Sequence, residues 1–162
     1  GYYSWILDNE LSPLTDNEKL REAARKHNQD MIQRFYFDNV SPEGAEPIDR
    51  ISDAGYGAVY VNETLLALWS EDFIEPADAI AGFYKHLLQH ELNSKTRKGI
   101  FDAEVSDIGI SFDSISLRMA NGKYMKIYIM AINIAARTGI YSGGVSQTFD
   151  KVYIRPVVKN PS

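Results

Sequence analysis

The chain has 162 residues, 44% of them hydrophobic and 12% aromatic, which is enough for one domain with a real core and far from disordered composition. A formal net charge of −5 implies no basic face for nucleic acid, and no apolar run approaches the length that spans a bilayer. There is no cysteine, which excludes disulfides, thiolate zinc sites and cysteine nucleophiles together.

The first predicted element lies in "LTDNEKLREAARKHNQDMIQRF". Thr15 followed by Glu18 matches a capping box at a helix start. Leu20, Ala24, His27 and Met31 then recur at helical spacing and mark one buried stripe, while Arg21, Lys26 and Gln33 fall on solvent-facing sides. On that stripe His27 reads as a hydrogen-bonded core histidine and Met31 as core filling. Ser41-Pro42-Glu43-Gly44 has turn chemistry. Pro47 to Ile51 opens a short helix, with proline where its missing N–H costs nothing, and Gly55 ends it.

A second strong helix is predicted in "EPADAIAGFYKHLLQHELNS", with Ile80, Phe83, Tyr84, Leu87 and Leu88 as its apolar face. At about 100° per residue, His90 lies beside Phe83 at the edge of that face, and His86 lies further towards solvent. From Val105 the pattern changes to strands: "IGISF", "ISLRM", a two-residue hairpin at Asn121-Gly122, "KYMKIYIMAINIA" and "DKVYIRPVV". The run Ile127 to Ile132 is strand-sized and is interrupted by Asn133. Helices first and strands later predict an α+β layered domain over 1–162, with 136–162 as a C-terminal extension or a closing strand.

His86 and His90 stand four apart on the second helix, a spacing that can present two imidazoles to zinc. The hydrolase motif places its glutamate inside such a pair, whereas Glu91 follows it, so the pair alone is weak evidence for a metal site. No G-x-S-x-G elbow and no phosphate loop is present; Gly143-Gly144 reads as a flexible turn. Tyr124, Tyr128 and Tyr153 fall in predicted strands and read as core or sheet-surface residues rather than a base-stacking platform.

Three segments occur in an order that resembles the CAP superfamily (cysteine-rich secretory proteins, antigen 5 and pathogenesis-related 1), in its cysteine-free bacterial branch. They are the Leu…Ala…His…Asp-Met pattern of the first helix, "YFDNVSPEGAEPIDRISDAGY", and "FYKHLLQHELN". The second segment is the most specific, with Ser41-Pro42, Gly44, Pro47, Asp49-Arg50-Ile51 and Ala54-Gly55-Tyr56 in register. The resemblance implies an α-β-α sandwich with a central antiparallel sheet. It also implies an exported, secreted or cell-surface chain whose signal or lipid anchor has been removed ahead of Gly1.

Many members of that superfamily carry a cavity with two histidines and two acidic residues. By register, Asn39 replaces the first histidine, Glu63 matches one acid with Thr64 in place of the family asparagine, and His90 matches the second histidine. Glu91 stands where arginine is usual, Asn93 matches the later asparagine, and Tyr84 replaces a tryptophan; the second acid has no counterpart. The register implies that Asn39, Glu63 and His90 converge in one surface cleft.

One histidine and one glutamate are too few for a closed site of three or four protein ligands. No catalytic residue, no metal ligand and no cofactor is therefore expected, with weak divalent binding at His90 and Glu63 the disfavoured option. The resemblance then implies a non-enzymatic domain that binds a small hydrophobic ligand or a host or envelope partner. One alternative is a divalent-metal-dependent hydrolase using His90, Glu63 and His86. The other is a structural or host-interaction protein with a vestigial cavity, contacting its partner through "ALWSEDFIEP" and "RTGIYSGGVSQTF", with Trp69 and Phe73 as the first residues to truncate.

Overall fold

The computed structural model describes residues 14–71, 74–93, 107–137 and 145–154, with side chains described up to Gln89 in the helix that ends at Asn93. In chain order the elements are β1 (Thr15–Asp16), α1 (Glu18–Arg34), α2 (Pro47–Asp53), β2 (Tyr60–Ser70), α3 (Pro76–Asn93), β3 (Asp107–Arg118), β4 (Tyr124–Ala136) and β5 (Ser146–Ile154). They form a five-stranded sheet in the order β1-β3-β4-β2-β5. The expected antiparallel pairing holds for β3-β4-β2, while both edges pair in parallel, β1 with β3 and β5 with β2. β5 pairs with β2 on the side away from β4 and runs in the same direction as β2.

β2 is the element that sequence patterning does not reveal. It is buried along almost its whole length on both faces, so its residues do not alternate between apolar and polar, and Asn62-Glu63-Thr64 interrupts the apolar run. A strand therefore stands between α2 and α3, and the helices-then-strands order is corrected. Trp69 and its neighbours from Ala67 to Ser70 belong to this strand rather than to a contact loop; Phe73 lies outside the described residues. Of "RTGIYSGGVSQTF", residues 138–144 also lie outside, and Ser146 to Phe149 are part of β5.

Two further expectations change at element ends. The cap of α1 is Asn17, whose Oδ1 accepts from Lys19 N at 2.9 Å and Leu20 N at 3.1 Å, while Thr15 pairs with Asp107 in the sheet. The β3–β4 connection is a three-residue loop rather than a two-residue turn. Met119 N donates to Lys123 O, Gly122 N donates to Met119 O, and Gly122 takes the left-handed φ of 83° that closes this loop type.

The alternation of β2 and β4 sorts the layers. Tyr60, Leu66, Leu68, Tyr128, Met130, Ile132 and Ile134 meet Ala79, Phe83 and Leu87 of α3 on one face. Val61, Leu65, Ala67, Ile129, Ala131 and Ala135 meet α1 and α2 on the other, through Leu20, Ala23, Ala24, Met31 and Ile51. Tyr84, expected on the apolar face of α3, is 42% exposed, and Ala79, Phe83 and Leu87 form the buried stripe. His86 is half-buried rather than directed to solvent. The segment that follows α2 is anchored by Tyr56, which is buried and donates to Asp107 Oδ2 at 2.5 Å.

Candidate functional site

Glu63 and Asn133 face each other across β2 and β4, with Gly109 beyond Asn133 on β3, in one row beneath α1. Gly109 is where the helix lies closest: a Cβ at that position would overlap the backbone of Leu20 and Arg21. Asn133 Nδ2 donates to Leu20 O at 3.3 Å, which fixes the helix over the row. Close approach of α1 seals the row from water, and a carboxylate sealed in this way needs partners.

Those partners come from α2, which carries Arg50, and from the segment between α1 and α2, which carries Asn39. Arg50 NH2 donates to Glu63 Oε1 at 2.8 Å and to Asn39 O at 2.7 Å, and its NH1 donates to Ala45 O at 3.1 Å. Asn39 Nδ2 reaches Glu63 Oε1 at 3.2 Å, Glu63 O at 3.4 Å and Asp150 O at 3.0 Å, which ties the segment to β2 and β5. His27 completes the cluster from α1, with Nε2 at 2.8 Å from Asp38 O and 3.9 Å from Glu63 Oε1. The side chain of Glu63 is 1% exposed and that of Arg50 15%. Sequence reasoning gave Arg50 no role beyond its place in the family segment; a lone glutamate inside an apolar strand run was the signal that an arginine must lie near.

Burial pushes the Glu63 carboxyl above the usual range, against the pull of the Arg50 charge and the Arg50 and Asn39 hydrogen bonds. Burial, with the charge of Arg50 behind it, holds the His27 imidazole down to about 4. His27 is therefore neutral at pH 7, donates from Nε2 to the Asp38 carbonyl, and keeps Nδ1 as a bare acceptor. His27 Nδ1, Glu63 Oε2 and Arg50 Nε have no hydrogen-bond partner among the described residues. Each such buried group costs about 1–3 kcal/mol. Among the described residues no group of three or more histidine, aspartate or glutamate side chains is arranged to hold a metal ion.

Of the three residues expected to converge, Asn39 and Glu63 touch, but in a sealed polar core rather than a surface cleft. The backbone of His90 belongs to α3, whose described side chains pack on the opposite face of the sheet from Glu63; the side chain of His90 lies outside the described residues.

On the Glu63 side of the sheet, but beyond the end of α1, lies an apolar groove of about 360 Å³. Its cause is length. The 17 residues of α1 span about 25 Å, whereas the 13 of β4 run for about 43 Å, so among the described residues no helix covers the far end of this sheet face. Trp69, Ile115, Met125, Ile127 and Tyr153 line it from four strands, and Phe35 to Phe37 close one side. Phe35 ends α1 in the left-handed region at φ 60°, and its ring is 72% exposed. Trp69 stands edge-on to Tyr153 at 5.6 Å, and Tyr153 packs on Phe37 at 5.0 Å.

The family model of the CAP, cysteine-rich secretory protein family matches residues 8–124, more than half of the chain. The chain belongs to that family. Among solved structures, the CAP chain is similar to an outer surface protein from Borrelia burgdorferi, with a TM-score of 0.53 and 18% identity over 85% of this chain and 90% of that one. It is also similar to an extracellular protein containing an SCP domain from Bacillus anthracis str. Ames, with a TM-score of 0.46 and 21% identity over 75% of this chain and 35% of that one. No curated protein matches the CAP chain in sequence. The α-β-α architecture expected from the sequence is thus the fold of the CAP chain and of the Borrelia outer surface protein. No described helix is long and apolar enough to cross a membrane.

Proposed function

We propose that this CAP chain is an exported domain that acts by binding rather than by turnover, and that it takes a small hydrophobic ligand or the hydrophobic group of a host or envelope partner. The observation that carries this reading is the apolar groove under the end of α1, walled by Trp69 and Tyr153 and open to solvent. Apolar concavities lined by aromatic side chains are the usual form of small-ligand sites. Binding in place of turnover is supported by Glu63, the acid at the family position. Its Oε1 is occupied by Arg50 and Asn39, and the residue is closed to solvent, so a substrate has no path to it. Export is in keeping with the outer surface protein that shares the fold.

Titration with cis-parinaric acid and with a fluorescent sterol tests the reading. Saturable binding by at least one probe is expected, with affinity lost in Trp69→Ala and in Tyr153→Ala. No saturable binding to either probe, nor to immobilised envelope polymers, overturns it. Antibody labelling of intact cells tests export, and a signal that requires permeabilisation counts against it.

A further inference from the structure

A second depression, which shares no lining residue with the groove, lies between α1 and the segment from Ser41 to Ala54. It is a cleft of about 370 Å³ with His27 and Arg50 among its lining residues. His27 is 99% buried, as its 1% exposure states, and Arg50 is largely buried. Each carries a buried nitrogen, His27 Nδ1 and Arg50 Nε, with no hydrogen-bond partner among the described residues. The two are of opposite kind. Nε2 of His27 is committed to the Asp38 carbonyl, so Nδ1 can only accept, while Nε of Arg50 carries a hydrogen and can only donate.

The charged residues that line the cleft balance, Lys26, Arg34 and Arg50 against Asp30, Glu43 and Asp53, and Glu63 behind Arg50 adds one further acid. The guanidinium of Arg50 is met by Glu63, and that of Arg34 by Asp30 and Glu43. Lys26 and Asp53 add one charge of each sign at the rim. An anion finds no use for the lone pair of Nδ1, and a cation none for the Nε–H of Arg50. A hydroxyl group answers both, because it donates and accepts at the same oxygen.

We propose that this cleft binds an uncharged, hydroxyl-rich ligand of the size of one sugar ring, whose hydroxyls donate to His27 Nδ1 and accept from the Nε–H of Arg50. The volume lies at the small end of the range for ligand sites, roughly 300–1,000 Å³, which suits a single ring better than an oligomer. The terminal sugar of a glycan and a free sugar present the same chemistry. Ala45 and Ala54 line the cleft with side chains that make no hydrogen bond, so they can be enlarged without removing a polar partner.

The test uses the full chain labelled with ¹⁵N. Methyl glucoside, N-acetylglucosamine and inositol are the probes, and acetate, phosphate and methylammonium are the charged controls. The expected result is a saturable movement of the His27 Nδ1 resonance with at least one uncharged probe and none with the controls. Ala45→Leu and Ala54→Leu should each keep the melting temperature near that of the parent and weaken binding at least about tenfold. Binding to an immobilised glycan but not to the monosaccharide assigns the ligand to a glycan terminus, and the reverse assigns it to a free sugar; both support the proposal. An Nδ1 resonance unmoved by every uncharged probe overturns it. So does saturation by a charged control alone, or parental affinity in both leucine variants. Because the two depressions share no residue, binding of the hydrophobic probes to the groove is unaffected by failure here.

Discussion

Beneath the first half of α1 the sheet face carries Glu63 and Asn133 and is closed to water; past Met31 the same face carries Trp69, Met125 and Ile127 and lies open. Cover and polarity are thus reversed from the usual arrangement, in which apolar surface is hidden and charge is left outside. The closed end needs a glycine for the helix to approach, an arginine for the glutamate and an asparagine for the carbonyls. The open end needs only that the helix stop. The closed end is cross-linked by hydrogen bonds between α1, α2, β2 and β4, and the open end offers the apolar surface free to take a hydrophobic ligand.

The largest way to break that contrast is to lift α1. Gly109→Ala places a methyl group into the backbone of Leu20 and Arg21, where no rotamer change can relieve the overlap. A loss of at least about 3 kcal/mol is expected in urea unfolding, with little soluble folded protein recovered. A variant with near-parental stability would show that the helix does not rest on this row.

Removing the arginine is expected to cost nearly as much. Arg50→Met strands Glu63 as a buried carboxylate without its cation, and breaking such a pair costs about 3–5 kcal/mol. The double variant Arg50→Met with Glu63→Leu should recover most of that loss, since two apolar groups need no pairing. If the double variant is no better than the single one, Arg50 acts through its bonds to Ala45 O and Asn39 O instead.

How much of this was legible follows from what each region requires of its residues. α1 and α3 can be read because each has one buried stripe, and helical spacing records it directly. β2 hides because burial on both faces erases alternation, and its Asn62-Glu63-Thr64 looks like a loop until partners for those groups are known. The contact of Asn39 with Glu63 was legible only through the family register, since no local pattern links residues on different elements. Arg50 was visible in that register but not as a partner. The groove was not legible at all: it arises from the mismatch in length between a helix and a strand, and neither element records it alone.

A pH series sharpens the closed end. His27 titrates at about 4 in the folded chain against 6.5 for the free side chain, so between those values the unfolded chain binds more protons. Stability from this group is complete above 6.5 and is lost as pH falls towards 4, by up to about 3 kcal/mol. Glu63 acts in the opposite sense: its raised folded value gives stability that is lost as pH rises. The informative quantity is therefore the difference between parent and His27→Asn. That difference should be flat above pH 7 and should change steadily between about 6.5 and 4. Parallel curves throughout that window would show that His27 is not held neutral.

The smallest effect on stability is expected at the open end, and there it should be accompanied by a large effect on binding. Trp69 is 38% exposed and its described ring contact is the edge-on pair with Tyr153, an arrangement worth about 0.5–1.5 kcal/mol. That value comes on top of the area the ring buries, so Trp69→Ala should cost roughly 2–3 kcal/mol and lower the melting temperature by roughly 4–10 °C. The same change removes a wall of the groove, so affinity for a hydrophobic probe should fall at least about tenfold. A loss above about 4 kcal/mol instead would make Trp69 a core residue, because that is the range for fully buried aromatic side chains. Unchanged stability with unchanged affinity would place the ligand elsewhere, and the open end would then be only the part of the sheet that α1 is too short to reach.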